Sequence, residues 1–275
     1  MRIVLGRSEC TPGYPTRRGV LSTESFASLY IPCWTDASRT SRATISGGSY
    51  FNVLTVRLSD ICLFVADSFH WTGHYRVWVS DVHHRDVSAF NLMYKRREDG
   101  AIVGVLIDFD LAILRGGQST NTERTRTMPF TALDILSSIA GDTHQSHLYR
   151  HDAESFLWVA IWVCGTYEGG KERQDAPFKA WTQGDARHCL SLKLYFLSRG
   201  ESKLWSKSHQ ARVYVLRGIR GQMDDDDFKR RKQRRSIEAS GGAVPLEVPD
   251  PHTDYTDYKR IDDLFSTLRQ ELVEY

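Results

Sequence analysis

The stretch NLMYKRREDGAIVGVLIDF, residues 91–109, constrains the fold more than any other part of the sequence. Two apolar runs stand on either side of Asp99 and Gly100, and an Asp-Gly pair between such runs is the strongest short-range signal for a β-hairpin. If Asp99 and Gly100 form a two-residue loop, Glu98 pairs with Ala101. This register also predicts which residues meet at the open end of the hairpin.

The open end of the predicted hairpin carries two side chains with oxygen atoms, Asn91 and Asp108. The two-residue loop places them opposite each other, so both face one point. Hard divalent cations such as Mg2+ prefer oxygen ligands and usually keep water or substrate phosphates in their remaining positions. Asp86 lies five residues before Asn91 in HHRDVSAFN (83–91) and can approach the same place without binding the cation. We therefore predict a magnesium site beside a carboxylate that accepts a proton.

Composition limits the classes of protein that remain. A chain of 275 residues with 41% hydrophobic residues can bury a sizeable core in one large domain or two small ones. The formal net charge is only +2, so charge alone attracts neither nucleic acid nor a membrane surface. The cysteines form no CxxC pair and favour a reducing compartment over a disulfide framework: Cys10, Cys33, Cys62, Cys164 and Cys189. Because the start lacks a signal-peptide pattern, we expect a soluble, intracellular protein, cytoplasmic or nuclear.

Three helices are predicted downstream of the hairpin. HDAESFLWVAIWVC, residues 151–164, is predominantly apolar and has Asp152 in its first turn, where a carboxylate favours the positive end of the helix dipole. Further helices are predicted at 185–198 and 257–274. The large aromatic side chains of the first helix are interpreted as core: Phe156, Trp158 and Trp162.

Other regions are less regular. RIVL at residues 2–5 is a short strand candidate, and residues 36–80 keep neither a helical nor a strand period. The runs DDDD (224–227) and KRRKQRR (229–235) precede SGGAVPLEVPDP, so residues 222–256 are predicted as a charged, flexible loop. For KRRKQRR, a solvated loop neutralised by DDDD is favoured over a nuclear import signal or a phosphate-binding patch.

Several motifs occur in the order in which protein kinases have them. HRDxxxxN is matched within HHRDVSAFN, and LIDFDLA at 106–112 stands where that family has its metal-binding DFG motif. RTRTMPFTALDIL (124–136) resembles the end of an activation segment. The chain resembles the fungal-type protein kinases in particular, through HRDVS, IDFDLA, TMPFTALDIL, HDAESFLWV and KLYFLSRGES (193–202). The resemblance covers residues 83–205 well and residues 1–25 faintly.

The resemblance implies an α+β, protein kinase-like fold. The fold would have a mostly helical C-terminal lobe with a catalytic-loop β-hairpin and an incomplete N-terminal lobe. The implied division of the chain is a remnant of the N-terminal lobe (1–35), an irregular segment (36–80), the C-terminal lobe (81–221), the charged loop (222–256) and a C-terminal helix (257–275).

The resemblance also implies roles at the reacting centre. Asp86 would be the catalytic base, and Asn91 and Asp108 would hold Mg2+ that bridges the phosphates of ATP. The acceptor would be a serine or threonine of a protein substrate. Nucleic acid is not an expected partner, and neither is a membrane. If the resemblance misleads, these three side chains are turn caps and hairpin ends.

Further implied roles concern the surroundings of that centre. His84 would pack in the scaffold. Arg85 would assist catalysis by holding the activation segment, through a phosphate on Thr125 or Thr127. Asp134 would stand in the activation segment in place of the glutamate of the usual APE motif. Asp152 would brace the backbone of the catalytic loop, with a plain helix cap as the alternative.

Some positions depart from the family pattern. Ser88 stands where serine/threonine kinases usually carry a lysine that reaches the transferred phosphate. Asp110 replaces the glycine of DFG, and Arg126 replaces a glycine before Thr127. The residues before Asp86 contain no GxGxxG loop and no VAIK-like lysine, so we expect a truncated N-terminal lobe and interpret residues 36–80 as foreign coding sequence.

Three functions therefore stay open. The first is an ATP-dependent protein kinase for serine or threonine. The second is a catalytically inactive pseudokinase that serves as an interaction surface, which the missing lysine and glycine-rich loop favour. The third is a small-molecule phosphotransferase of the aminoglycoside or choline kinase type, against which the activation-segment motif argues.

Overall fold

The computed structural model describes residues 43–44, 50–51, 68–96, 102–114, 126–141, 145–168, 171–199, 213–243 and 249–273. The helices in these stretches are α1 (Ser68–Val79), α2 (Leu133–Ala140), α3 (Tyr149–Thr166), α4 (Ala186–Arg199), α5 (Val213–Ala239) and α6 (Pro251–Val273), with short 3-10 helices at Met128–Phe130 and Lys179–Thr182. The strands are β1 (Ala43–Thr44), β2 (Tyr50–Phe51), β3 (Val82–His83), β4 (Leu92–Arg96), β5 (Ile102–Leu106), β6 (Ile113–Leu114), β7 (Tyr167–Glu168) and β8 (Lys171–Glu172). The strands pair as β1-β2, β3-β6, β4-β5 and β7-β8, all antiparallel. Helices dominate this part of the chain, which is compatible with the predicted α+β class. The strand predicted at 2–5 lies outside the described residues.

Helix α3 lies at the centre of the core. Its residues Phe156, Trp158 and Ile161 are completely buried. Because apolar residues occur on all sides of this helix, other elements pack around it. Helix α6 and the 3-10 turn Met128–Phe130 both contact it. The helix predicted at 151–164 is confirmed, and so is the interpretation of its aromatic residues as core.

Aromatic rings connect α3 to α4. The ring centroid of Trp181 lies 5.4 Å from that of Trp158 and 5.8 Å from that of Phe196, in edge-to-face arrangements. Such pairs add stability beyond the area that they bury. Helix α4 begins beside Asp185, whose carboxylate accepts the His188 N–H at 2.9 Å and so caps the helix. This element confirms the helix predicted at 185–198.

The predicted β-hairpin is present, but its register differs by one residue. Strand β4 pairs with β5 so that Arg96 faces Ile102 and Leu92 faces Leu106. The pairing continues to Asn91, whose carbonyl accepts the Ile107 N–H at 2.9 Å. An Asp-Gly pair also occurs in hairpin loops longer than two residues, so the dipeptide predicts the hairpin better than it predicts the register. Asn91 therefore stands opposite Ile107 and not opposite Asp108.

The charged stretch predicted as a flexible loop at 222–256 is largely helical. Helix α5 runs through both DDDD and KRRKQRR, and α6 begins at Pro251, where Asp250 accepts the Thr253 N–H at 2.9 Å. The two charge runs, read together, place acids four residues before bases, as in the Asp227–Arg231 ion pair at 2.7 Å. Such pairs stabilise a helix, whereas each run read alone suggests repulsion between like charges. The C-terminal helix thus starts earlier than the predicted residue 257.

Helix α1 lies within the segment 36–80 that was predicted to be irregular. Its buried side chains include His74 as well as Val77 and Trp78. The Trp78 indole N–H donates to Asp254 Oδ2 at 2.9 Å, which attaches α1 to α6. Because polar and aromatic residues fill its buried face, apolar periodicity alone does not reveal this helix.

The two cysteines in the described stretches differ in state. Cys189 is a buried free thiol, whereas Cys164 is disulfide-bonded. The expectation from the sequence that the cysteines are free thiols is therefore not met at Cys164. Among the helices described, none is both long enough and apolar enough to cross a membrane.

Candidate active site

Two strand pairs bring the catalytic-loop motif and the metal motif together. The loop 84–91 runs from β3 to β4, and the loop 107–112 runs from β5 to β6. Strand β4 pairs with β5, and β3 pairs with β6 through Val82–Leu114 and His83–Ile113. Both loops therefore start and end at paired strands, so they lie side by side. The hairpin predicted from the sequence supplies one of these two connections.

His84 joins the two loops directly. Its Nε2–H donates to the Ile107 carbonyl at 2.9 Å, and its ring lies 4.6 Å from that of Phe109. Its Nδ1 accepts the Asp86 N–H at 3.3 Å, which fixes the neutral tautomer. Burial lowers the pKa of His84 and so favours this neutral form. The contacts are those of a packed scaffold residue.

The Asp86 carboxylate is held from two directions. From its own loop, Asn91 donates Nδ2–H to the Asp86 carbonyl at 2.8 Å and to Oδ2 at 3.3 Å. From the later segment, Thr127 donates its backbone N–H to Oδ1 at 3.1 Å and its hydroxyl to Oδ2 at 3.4 Å. Asp86 is only partly buried. Its carboxylate therefore has a fixed position and access to solvent.

Asp108 lies on the neighbouring loop in the left-handed region of the backbone, with φ of 61°. Its carboxylate is exposed, and Oδ1 accepts the Asp110 N–H at 3.4 Å. Within the described residues, the Asn91 side chain donates to Asp86, whereas the Asp108 carboxylate accepts from Asp110. The two proposed cation ligands lie on adjacent loops. They do not stand opposite each other, because the register of the hairpin differs by one residue from the predicted one.

The side chains of Asn91 and Asp108 are of the chemical types that a hard cation binds. The Asn91 amide group directs its nitrogen toward Asp86, so its oxygen points elsewhere. Asp108 adds an exposed carboxylate. Two oxygen donors of this kind fit Mg2+, which fills its other positions with water and phosphate. In the described part of the chain, no group of three or more His, Cys, Asp or Glu side chains is arranged to hold a metal.

Asp152, in the first turn of α3, contacts the backbone of the catalytic loop. Its Oδ2 accepts the Arg85 N–H at 3.3 Å and the His74 Nε2–H at 3.0 Å, and its Oδ1 accepts the His147 Nε2–H at 2.7 Å. Burial alone would raise the pKa of Asp152, but the hydrogen bonds from the two histidines outweigh it and hold the pKa well below its usual range. Asp152 is thus a buried, ionised acceptor. Arg85 itself has φ of 72°, a left-handed conformation that the N–H contact helps to hold.

Arg126 and His147 extend this network through contacts that no sequence pattern predicts. Arg126 donates Nη1–H to the Arg85 carbonyl at 2.8 Å and to His147 Nδ1 at 3.2 Å. Because Nδ1 accepts from a guanidinium, His147 is neutral, and burial lowers its pKa to about 3. Arg126, which departs from the glycine of the family pattern, therefore joins the catalytic loop to His147, just before α3.

Asp134 anchors the end of the activation-segment motif to two helices. Its carboxylate pairs with Arg150 at 3.2 Å, Arg230 at 3.2 Å and Arg234 at 3.4 Å. Burial would raise the pKa of Asp134, but His151, whose Nε2 lies 3.8 Å from Oδ2, and Arg230 lower it far more. Glu154 of α3 accepts the Leu133 N–H at 2.8 Å, which satisfies a free donor at the start of α2. Thr125 lies outside the described residues.

Comparison with known families gives a match to part of the chain. Residues 72–164 match the family model described as fungal protein kinase. The matched segment begins in α1 and ends in α3, so it includes Asp86, Asn91, Asp108 and Asp152. It also includes residues 72–80, which argues against a foreign origin for that part of the segment 36–80. A search of curated proteins found no match. The resemblance indicated by the motifs is thereby confirmed for residues 72–164, which are similar to the fungal protein kinases.

Proposed function

We propose that this chain is a protein kinase-like domain that transfers the γ-phosphoryl group of ATP to a serine or threonine of a protein substrate. The observation that carries the proposal is the position of the Asp86 carboxylate between Asn91 and Thr127. Phosphoryl transfer needs little covalent chemistry from the protein, so a fixed carboxylate beside the acceptor hydroxyl and a cation site are its main requirements.

Asp86 orients the acceptor hydroxyl and receives its proton in this proposal. The contacts from Asn91 and Thr127 hold both carboxylate oxygens, while partial exposure leaves the group accessible to a substrate. A general base must lie within hydrogen-bond reach of the proton that it takes. The Thr127 hydroxyl already occupies such a position at 3.4 Å from Oδ2, which supports access for another hydroxyl.

Asn91 and Asp108 are the residues that would hold Mg2+. The ion would neutralise phosphate charge as the γ-phosphoryl group is transferred. The protein contributes an amide oxygen from a buried residue and a carboxylate from an exposed one. Asn91 also fixes Asp86 through its nitrogen, so the same side chain would couple the cation to the base.

The segment after the metal motif supports a protein as the acceptor. Thr127 touches Asp86, and the turn Met128–Phe130 that follows contacts the core helix α3. A protein substrate would lie along this segment. If the segment is regulated by phosphorylation with Arg85 as the partner, Thr125 suits this role better than Thr127. A phosphate on Thr127 would bring negative charge to the Asp86 carboxylate.

One observation favours the pseudokinase as the second candidate. Ser88, at the position where serine/threonine kinases usually carry a lysine, is 1% exposed. A short buried side chain cannot reach a transferred phosphate, so one charge contact in the transition state is absent. In that case the chain would keep the fold and serve as an interaction surface.

Nucleotide binding separates these candidates. We expect Mg-ATP to stabilise the wild-type chain by about 2.7 kcal/mol at one hundred times its dissociation constant, as measured by thermal unfolding. Asp108→Ala should remove this stabilisation. Asp110→Ala, which changes a second exposed carboxylate of the same loop, is the matched control and should retain it. No stabilisation of the wild type by Mg-ATP would reject the kinase proposal in favour of the pseudokinase.

The nature of the acceptor is tested next. Labelled ATP is supplied with either a protein mixture or an amino sugar. Label in protein serine and threonine is the expected result. Label in the amino sugar alone would instead identify a small-molecule phosphotransferase.

A further inference from the structure

Lys193 of α4 is a charged side chain inside the core. It is completely buried, and its Nζ donates to the Thr131 carbonyl at 2.7 Å. The ammonium group also lies 4.2 Å from the ring centroid of Trp158, within the range of a cation–π interaction. Burial lowers the pKa of Lys193 to about 8, so it is mainly protonated at neutral pH. A buried charge is costly, and an apolar side chain would fill this aromatic site at lower cost.

The contact of Lys193 leads toward the candidate base. The Thr131 hydroxyl donates to the Thr127 carbonyl at 3.2 Å. Thr127 in turn donates its N–H to Asp86 Oδ1 at 3.1 Å. Three successive hydrogen bonds therefore connect the ammonium group of α4, through the segment 127–131, to the Asp86 carboxylate.

A second residue of α4 contacts the same segment. Cys189 lies one turn before Lys193, on the same face of the helix, and its Sγ–H donates to the Met128 carbonyl at 3.5 Å. Helix α4 thus supplies donors to two backbone carbonyls of the segment. The ammonium group is the stronger donor, because hydrogen bonds from ionised groups exceed those from thiols.

We propose that Lys193 is a positioning residue, which fixes the segment 127–131 from within the core and thereby sets the place of Thr127 against Asp86. Its role for catalysis rests on the proposed function of Asp86. The structural claim, that Lys193 keeps the Thr127 N–H in contact with the Asp86 carboxylate, does not depend on phosphoryl transfer. A purely packing role would make the methylene chain of Lys193 sufficient without its ammonium group.

Lys193→Met separates the two roles, because methionine keeps a similar unbranched shape but cannot donate a hydrogen bond. Amide hydrogen exchange is measured at Thr127 by NMR, together with the chemical shift of that amide. We expect a folded variant in which the Thr127 amide exchanges about tenfold faster than in the wild type. Lys171→Met, at an exposed lysine, is the control and should leave exchange at Thr127 unchanged.

Thr131→Val provides a second test and decides the matter if Lys193→Met does not fold. This change keeps the shape of the side chain and removes the hydroxyl that contacts the Thr127 carbonyl. It should also accelerate exchange at Thr127. Unchanged protection of Thr127 in folded Lys193→Met, or in folded Thr131→Val when the first variant does not fold, overturns the proposal.

Activity adds an independent readout. If the wild-type chain transfers phosphate, Lys193→Met should lower kcat while KM for ATP stays within about twofold, because the change displaces the base and not the nucleotide site. A rise in KM for ATP well beyond twofold, with kcat unchanged, would contradict a positioning role. A wild-type chain that transfers no phosphate rejects the proposed function, whereas exchange at Thr127 still decides the role of Lys193.

Discussion

Asp152 is the residue on which the buried polar contacts around the catalytic loop converge. It accepts hydrogen bonds from His74, His147 and the Arg85 N–H. Two protonation states are required together, since His147 must stay neutral to accept from Arg126 while the Asp152 carboxylate stays ionised. The folded state therefore depends on protonation states that acid disturbs.

Acid should destabilise the protein below about pH 6.5. Burial lowers the pKa of His147 to about 3 and that of His151 to about 4, from an ordinary value of 6.5. Between these values the unfolded chain binds more protons than the folded one, so stability falls as pH falls. Each histidine contributes about 1.4 kcal/mol per pH unit in that window. Urea unfolding at a series of pH values measures the slope.

His147→Gln tests the assignment of this slope. Glutamine can donate to Asp152 but does not titrate, so the slope between about pH 4 and 6 should decrease by about 1.4 kcal/mol per pH unit. His188→Gln, at an exposed histidine, is the control and should leave the slope as it is. An unaltered slope in His147→Gln would show that His147 titrates normally.

At this scale the sequence predicts residue identities better than contacts. Asp86, Asn91 and Asp152 were predicted from their motifs as site residues, and Asp152 does contact the backbone of the catalytic loop. Arg126 and His147 were not identified as its neighbours. They lie outside any periodic element, and only the packing of the catalytic loop against α3 brings them together.

Among the elements, α5 shows how charge can fix a helix to the core. Arg230 and Arg234 pair with Asp134 of α2, while Lys232 on the same helix is exposed. The spacing of four residues puts both arginines on one face. The basic run therefore has a partly buried side that contacts Asp134 as well as a solvated one.

Arg230→Met should destabilise the protein by about 1–3 kcal/mol, because it leaves the buried Asp134 carboxylate with fewer donors. Lys232→Met should change the free energy of unfolding by less than about 0.5 kcal/mol. Urea unfolding of the two variants gives the comparison. Equal effects would mean that α5 contributes through helix propensity alone and not through Asp134.

The elements that the sequence predicted well are those with a dominant apolar signal. Helix α3 is buried along most of its length, and the hairpin strands flank the Asp99-Gly100 dipeptide in the sequence. The register was wrong by one residue because a turn dipeptide does not fix the loop length. Helix α5 was missed because its stability comes from ion pairs, within the helix and to α2, that composition does not show.

For the whole molecule, the described architecture holds the loops 84–91 and 107–112 between paired strands and packs the first of them against the buried helix α3. The β3-β6 and β4-β5 pairs hold the loops together, and α3 supplies the carboxylate beneath them. Only the second of these strand pairs was predicted, since the first joins two-residue strands that carry no pattern. The motifs predicted the family model that residues 72–164 match.

The most direct test of the account is phosphoryl transfer by Asp86→Asn. Asparagine keeps the shape of the side chain but cannot accept the proton of an acceptor hydroxyl, so transfer of labelled phosphate from Mg-ATP to protein should fall by at least about 100-fold. Binding of Mg-ATP, measured by thermal stabilisation, should be retained. Transfer by Asp86→Asn at the wild-type rate, with nucleotide binding intact, would contradict the role of Asp86 as the base.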